Sequence, residues 1–195
     1  MIIAIDGPAG SGKSTVAREV ARRLGFTYLD SGAMYRSVAL AGPTVDPASL
    51  DIAFAGDRVV LNGRDVTDAI RTPEVSEGAS RVAANPSVRE AMVQKQRELL
   101  ADGDWVAEGR DIGTVVAPDA QVKVFLTADG AARASRRAAE ASWSTRADQD
   151  RRDRMDAAQS GKAADAVEVD STGLDLDGVV GVIVGLVPKS LQKSR

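Results

Sequence analysis

The sequence predicts an α/β fold in which a mostly parallel sheet is flanked by helices. Short apolar or β-branched runs alternate along the chain with longer segments whose apolar residues recur at helical spacing. The first run, residues 1–5, leads through a glycine-rich turn into such a helical segment, which is the order of a buried parallel strand and its crossover helix. Of the 195 residues, 44% are hydrophobic and 27% charged, as in ordinary globular domains.

The elements on either side of that turn follow from the pattern. After the strand at residues 1–5, apolar residues at helical spacing predict a helix over residues 13–24, and Gly25 is suited to end it. A second strand is expected over residues 26–29, followed by a helix through Leu40. Further buried strands are predicted at residues 105–107, 122–126 and 166–169.

The middle of the chain changes character. Residues 59–66 have the pattern of a β-hairpin, in which Asn62-Gly63 favours a type I′ turn. Pro73 and Pro86 each stand where a helix begins. We therefore expect an insert at residues 42–100 beside a core of residues 1–41 and 101–195.

The C-terminal part is predicted to be helical around its last strand. Residues 131–141 are rich in Ala and Arg, which favour a helix. Residues 145–158 carry dense charges of both signs and are either a solvated helix or a mobile segment. From Asp175 onward we expect a helix, although the Val and Gly content also fits a strand.

Composition narrows the possible chemistry. The chain contains no Cys and no His, which excludes disulfides, thiolate nucleophiles, imidazole bases and the common zinc sites. The net charge of −3 argues against a general electrostatic grip on nucleic acid. The N-terminal apolar run is too short for a secretion signal, and the longest apolar stretch, residues 178–187, is about half a membrane span. We expect a cytoplasmic protein with neither nucleic acid nor membrane as a partner.

The glycine-rich turn matches the phosphate-binding P-loop pattern in full. Its glycines let backbone N–H groups converge on phosphate oxygens, and the following helix adds the positive end of its dipole. Lys13 is expected to reach the β- and γ-phosphates of ATP, and the Ser14 hydroxyl to bind Mg²⁺. The predicted ATP-binding residues are Gly7, Pro8, Ala9, Gly10, Ser11, Gly12, Lys13, Ser14 and Thr15.

The P-loop identifies only the phosphate donor, because motors, GTPases and small-molecule kinases share it. A GTPase would carry an Asn-Lys-x-Asp motif late in the chain, and this sequence has none. Instead, Glu108, Arg110 and Asp111 follow a predicted strand, at the carboxyl end where ligands of open α/β sheets bind.

Four stretches together resemble the bacterial cytidylate kinases: GPAGSGKST, LDSGAMYR at 29–36, EGRDIGTVV at 108–116 and VKVFLTA at 122–128. They occur in the family's order and spacing, and the resemblance runs from residue 1 to about 187. It implies a monomeric enzyme of pyrimidine metabolism that transfers the ATP γ-phosphate to CMP or dCMP. It also implies that the insert binds the monophosphate and that a short lid lies at about residues 137–160.

The resemblance further assigns roles to individual residues. An acceptor phosphate requires a clamp of cations, and Arg suits it because it grips phosphate with two donors. No general base is required, since a CMP phosphate oxygen is already ionised near neutral pH. The implied catalytic residues are Lys13, Arg36, Arg110, Arg136 and Arg152, of which Arg36, Arg110 and Arg152 also bind substrate. The implied cytosine contacts are Ser80, Arg89 and Asp111. The residues implied near the ribose are Tyr35, Asp156 and Ser31.

Asp111 has the clearest chemical rationale among the base contacts. Its carboxylate would accept from the N4 amino group of cytosine, whereas uracil presents an acceptor there. A buried mismatch of this kind costs about 1–3 kcal/mol. A role for Asp111 as a helix N-cap is an alternative that is compatible with the first. Glu108 and Asp111 are also candidates for orienting Mg²⁺ through water.

The sequence departs from the family's pattern in its lid. The segment at residues 141–148 is short, and Gln159 stands near the place of a family Arg that helps to hold the base. Because Gln supplies no charge, we hypothesise weaker selectivity for CMP over UMP or weaker lid closure. The alternatives are a kinase for UMP, AMP or shikimate, and a nucleotide-binding protein that has lost catalysis.

Overall fold

The computed structural model describes residues 1–140 and 161–189. Its strands are β1 Ile2–Asp6, β2 Thr27–Asp30, β3 Ile52–Ala55, β4 Arg58–Leu61, β5 Arg64–Asp65, β6 Trp105–Gly109, β7 Val122–Thr127 and β8 Val167–Asp170. Its helices are α1 Lys13–Leu24, α2 Ser31–Ala41, α3 Pro73–Ala83, α4 Pro86–Leu100, α5 Gly130–Glu140 and α6 Leu176–Leu186, with a π-helical turn at Ile112–Val116.

Five strands form one parallel sheet in the order β2-β6-β1-β7-β8. All four neighbouring pairs run parallel, and the register places Asp6 of β1 opposite Gly109 of β6 and Phe125 of β7. The predicted α/β fold with a parallel sheet flanked by helices is therefore confirmed.

The two faces of this sheet carry separate apolar clusters because successive strand residues point to opposite faces. On one face Ile3 and Ile5 pack with apolar residues of α1 and α6. On the other face Ala4 packs with α2, α4 and the three-stranded sheet. Ile3, Ile5 and Ala4 are all fully buried, so β1 lies at the centre of the core.

Local chemistry sets the helix boundaries that the sequence predicts. Helix α1 ends at Gly25, whose φ of 67° lies in the left-handed region. Thr72 and Asn85 cap α3 and α4, each followed by Pro at the first position. Asp175 caps α6 by accepting a hydrogen bond from the backbone of Gly178. Residues 176–186 of the tail therefore form a helix, and the strand alternative is wrong.

A second, antiparallel sheet is made of β3, β4 and β5. Asn62 and Gly63 have φ values of 49° and 76°, as a type I′ turn requires at both central positions, so the predicted hairpin is confirmed. Strand β3, which the sequence pattern did not indicate, pairs with β4 along its whole length. Its residue Ile52 is buried in the cluster that covers one face of the parallel sheet.

The predicted boundaries of the insert at residues 42–100 and of the lid at about 137–160 stay predictions. Apolar residues of the insert segment pack directly on α2 and on the parallel sheet, so insert and core share one apolar cluster. The charged segment at residues 145–158 lies outside the described residues. Within the described ranges, none of the helices combines the length and the hydropathy that a membrane span requires.

Gly7, which directly follows β1, is predicted to tolerate no side chain. A Cβ atom there would stand 2.1 Å from the Leu126 carbonyl oxygen, and its φ of 152° is rare for other residues. We expect Gly7→Ala to lower the free energy of unfolding by about 3 kcal/mol or to prevent folding. Urea unfolding followed by circular dichroism measures this change.

Gly181→Ala is the matched control. Gly181 is exposed in α6, with nothing within 4 Å of its added Cβ atom. The same substitution there should stabilise the protein by about 0.5–1 kcal/mol, because Ala has the higher helix propensity. Equal effects of the two substitutions would contradict the steric argument.

Candidate functional site

The candidate site lies along the sheet edge formed by the carboxyl ends of the parallel strands. The P-loop follows β1, Ser31 begins α2 directly after β2, and Arg110 and Asp111 follow β6. Helix α5, which carries Arg136, follows β7, and Ser171 follows β8. Since these strands are parallel neighbours, residues far apart in sequence meet at one edge.

The P-loop backbone turns at two glycines directly before α1. Gly10 and Gly12 have φ values of 73° and 90°, which turn the backbone before α1 begins. Lys13 donates from Nζ to the carbonyl oxygen of Pro8 at 2.9 Å, so its ammonium group folds back over the loop. The loop and the N-terminus of α1 together present the arrangement expected of an anion site.

Behind the loop, Glu108 forms a buried polar cluster. It is 3% exposed and accepts hydrogen bonds from the hydroxyl groups of Tyr28 and Ser14. Burial raises the pKa of Glu108, reinforced by the nearby Asp30 and opposed by Lys13. Sequence reasoning missed Tyr28, whose phenol shares this pocket.

The oxygen donors of Ser14 and Glu108 fit Mg²⁺, a hard cation that takes one or two protein oxygens when phosphates and water complete its shell. The carboxylate of Asp111 faces Arg89 instead, so Glu108 is the predicted metal-orienting group that contacts Ser14. Within residues 1–140 and 161–189, the structure contains no cluster of three or more Asp or Glu side chains that could hold a metal ion by itself.

Two of the predicted clamp arginines are held by hydrogen bonds at the ends of β2 and β1, the two strands that flank β6. Arg36 of α2 donates from Nη2 to Asp30 at 2.8 Å, while the other oxygen of Asp30 accepts the backbone N–H of Ala33. Arg110 donates from Nη1 to the carbonyl oxygen of Gly7 at 2.6 Å. Both guanidinium groups are therefore held at the same strand edge as the P-loop.

A second cluster joins three residues predicted to bind the nucleoside. Arg89 of α4 donates to the carboxylate of Asp111, and the two form an ion pair. Burial raises the pKa of Tyr35 to about 12, with a further rise from Asp111 and a decrease from Arg89. Burial also raises the pKa of Asp111, against the effect of Arg89. Asp111 is the N-cap residue of the turn at Ile112–Val116, but its side chain makes no cap hydrogen bond.

Two further residues predicted to bind the acceptor, Ser31 and Ser80, lie on helices α2 and α3. Ser31 is buried beside the end of β6, since a Cβ atom on Gly109 would stand 2.6 Å from its Oγ atom. Ser80 lies half-buried on α3, which packs against α2 and against α4, the helix that carries Arg89. The predicted residues Arg152, Asp156 and Gln159 lie outside the described residues.

Arg136 is anchored to the P-loop through Ser171. Its Nη1 donates to the Ser171 hydroxyl at 2.8 Å and to the Ser11 carbonyl at 3.2 Å, while Nη2 donates to the Ser171 carbonyl at 2.9 Å. Ser171 is 2% exposed and also contacts the carbonyl of Thr127 at 2.9 Å. Sequence reasoning missed Ser171, although its place directly after a parallel strand was an available signal.

Comparisons with known proteins agree on one family. A sequence model described as cytidylate kinase matches residues 3–189. The chain is 43% identical to a cytidylate kinase of Carboxydothermus hydrogenoformans, over 96% of this chain and 97% of that protein. It is 42% identical to a cytidylate kinase of Solibacter usitatus, over 100% of this chain and 95% of that protein.

Two further matches are to a longer protein and to a solved structure of low sequence identity. A bifunctional pantoate ligase/cytidylate kinase of Synechococcus sp. is 46% identical over 95% of this chain, which spans only 42% of that longer protein. The crystal structure of TT1252 from Thermus thermophilus has a TM-score of 0.55 and 20% identity, covering 96% of this chain and 98% of that one. This last similarity concerns the fold.

Asp6, at the end of β1, should make protein stability depend on pH. Burial raises the pKa of Asp6 from 3.8 to about 6, against hydrogen bonds from the backbone of Gly113 and Ile112. The folded protein therefore binds this proton more tightly than the unfolded chain, so the contribution is favourable at low pH and is lost as the pH rises through about 6. Relative to Asp6→Asn, we expect wild type to lose about 1 kcal/mol of stability between pH 5 and 7.5.

Urea unfolding of both proteins at the two pH values tests this expectation. Glu19→Gln is the control, because Arg22 and Arg23 hold the pKa of Glu19 at about 2. Its contribution is full above the ordinary pKa of a glutamate and is lost only in more acidic solution. The difference between wild type and Glu19→Gln should therefore stay constant from pH 5 to 7.5. A constant difference for Asp6→Asn as well would contradict the prediction.

Proposed function

The chain belongs to the cytidylate kinase family, and we propose that the site described above transfers the γ-phosphate of ATP to CMP or dCMP. The comparisons do not favour a kinase for UMP, AMP or shikimate, nor a nucleotide-binding protein that has lost catalysis. The observation that carries the proposal is the placement of Arg36 and Arg110 at the strand edge that also bears the P-loop.

ATP is proposed to bind with its phosphates in the loop at residues 7–15. The backbone N–H groups and Lys13 hold the β- and γ-phosphates, and Arg136 lies beside the loop, 3.7 Å from the position of a Cβ atom on Gly12. Ser14 and Glu108 are the residues proposed to hold Mg²⁺. When bound with ATP, Mg²⁺ neutralises charge on the β- and γ-phosphates.

The acceptor is proposed to bind between the ends of β2 and β6 and helices α2 and α4. Arg36 and Arg110 grip the CMP phosphate from two sides and place one of its oxygens in line with the γ-phosphorus of ATP. Asp111, steadied by Arg89, accepts from the N4 amino group of cytosine, and Tyr35 contacts the ribose.

The transfer itself requires positioning and charge neutralisation rather than proton removal. The attacking oxygen of CMP is already ionised, so the bond from this oxygen to the γ-phosphorus forms while the bond to the β-phosphate oxygen of the departing ADP breaks. The cations Lys13, Arg36, Arg110 and Arg136 offset the charge of the phosphoryl group during this exchange. We also propose that Arg152 and Asp156 take part, and the protein's cytoplasmic location and monomeric state stay predictions.

Asp111→Ala should lower kcat/KM for CMP by about 10- to 100-fold, because the cytosine amino group loses its acceptor. ADP formation from ATP and Mg²⁺ is measured with CMP, dCMP, UMP, AMP and shikimate offered separately. The control is Asp119→Ala, in which the same exchange is made at an exposed loop residue. A wild-type kcat/KM for CMP in Asp111→Ala would contradict the proposed base contact.

The same assay tests the alternatives and the hypothesis about Gln159. Wild-type protein that binds ATP but turns over none of the five acceptors would contradict the proposed kinase function. A preference for CMP over UMP as strong as that of the family relatives, measured side by side, would contradict weaker selectivity caused by the shortened lid.

Ser171→Ala should weaken the binding of ATP without affecting the binding of CMP. Arg136 loses one of its acceptors, so we expect KM for ATP to rise about threefold to tenfold while KM for CMP stays unchanged. Steady-state kinetics with each substrate varied in turn measures both constants. Ser49→Ala removes a hydroxyl hydrogen bond at an exposed position and serves as the control. An equal rise in both KM values would mean that Ser171 supports the fold in general.

A further inference from the structure

The end of β1 makes three contacts with the segment that follows β6. The carbonyl oxygen of Gly7 accepts from Arg110, as described above. The two carboxylate oxygens of Asp6 accept the backbone N–H groups of Ile112 at 2.8 Å and of Gly113 at 2.7 Å. Asp6 is 4% exposed, so both hydrogen bonds lie away from solvent. The strand that leads into the P-loop thus also holds the segment that carries Arg110 and Asp111.

The two amides that Asp6 binds begin the π-helical turn. Amides in the first turn of any helix have no partner within it and are normally satisfied by the side chain of the preceding N-cap residue. That residue is Asp111, whose carboxylate is turned to Arg89 and makes no cap hydrogen bond. Asp6 therefore fills a capping role that Asp111 would ordinarily perform for its own turn.

The turn is also fixed at its other end and on its flank. Arg97 of α4 donates to the carbonyl oxygens of Val115 and Val116. A Cβ atom on Gly113 would stand 3.3 Å from both the carboxylate of Asp6 and the stem of Lys123, so the turn packs closely on β1 and β7. The charged groups that act on the pKa of Asp6 are Asp111, which raises it, and Lys13, which lowers it; the ammonium group of Lys123 is paired with Asp165.

We propose that Asp6 is a positioning residue that caps the turn at Ile112–Val116 in place of Asp111 and so leaves the carboxylate of Asp111 available to the acceptor base. The inference rests on the proposed CMP kinase reaction. It explains why a carboxylate is buried at the end of a strand whose other residues from Ile3 to Ile5 are apolar, although burying a charge is unfavourable.

Asp6→Asn tests this role while keeping the size of the side chain. Its amide has one acceptor oxygen, so one of the two backbone N–H groups faces an NH₂ donor instead. Asp111 then competes to cap its own turn. We expect KM for CMP to rise about tenfold and KM for ATP to stay within about twofold of wild type. Hydrogen exchange of the peptide covering residues 110–117 should be faster in the variant.

Asp175→Asn is the matched control, because Asp175 also accepts a backbone amide, that of Gly178, but at the start of α6. It should change neither KM, because Asn still accepts this one amide with its single carbonyl oxygen. Unfolding curves establish that each variant is folded in the assay, and Asp6→Ser, whose hydroxyl accepts one amide, takes the same measurements if Asp6→Asn does not fold.

The outcomes separate the two proposals. A selective rise in KM for CMP together with faster exchange supports the positioning role. Unchanged KM for CMP, or an equal rise in both KM values, overturns it while leaving the kinase function intact. If the wild-type protein turns over no monophosphate, the proposed function is overturned instead. In that case hydrogen exchange alone tests Asp6, and unchanged exchange at residues 110–117 in Asp6→Asn overturns its capping role.

Discussion

The parallel register between β1 and β6 is the constraint on which the site depends. Because Asp6 lies opposite Gly109, the P-loop and the segment starting at Arg110 leave the sheet side by side. The hydrogen bond from Arg110 to the Gly7 carbonyl spans this short gap. Neither glycine has room for a Cβ atom, which would meet the Leu126 carbonyl at Gly7 and Ser31 at Gly109. A shift of one residue in this register would separate the two segments and reverse the faces of the strand.

Two buried carboxylates bind groups that belong to the candidate site. Asp6 and Glu108 are each less than a twentieth exposed, and burial raises both pKa values, so keeping them ionised opposes folding. Hydrogen bonds offset part of this effect: two backbone amides for Asp6, and the hydroxyls of Tyr28 and Ser14 for Glu108. The cations above are tethered by neutral or acidic groups, which reduces the side-chain entropy lost when an anion binds.

Much of the fold was predictable from the sequence because its signals are local. Asn62-Gly63 marks a turn that needs two positive φ values, Pro73 and Pro86 mark helix starts, and Gly25 marks a helix end. The P-loop belongs to the same class, since its spacing alone implies the backbone shape. Strand β3 was missed because its short sequence becomes a strand only by pairing with β4.

The sequence by itself determined the five strands of the parallel sheet, the helices between them, the P-loop and the residue types available for chemistry, because these depend on neighbours along the chain. Only the tertiary structure decided that Asp6 binds the amides of residues 112 and 113, that Asp111 faces Arg89, and that Ser171 holds Arg136. These partners are 22 to 107 positions apart in sequence. They meet because parallel strands bring their carboxyl ends to one edge, and no local pattern records which residues stand beside each other there.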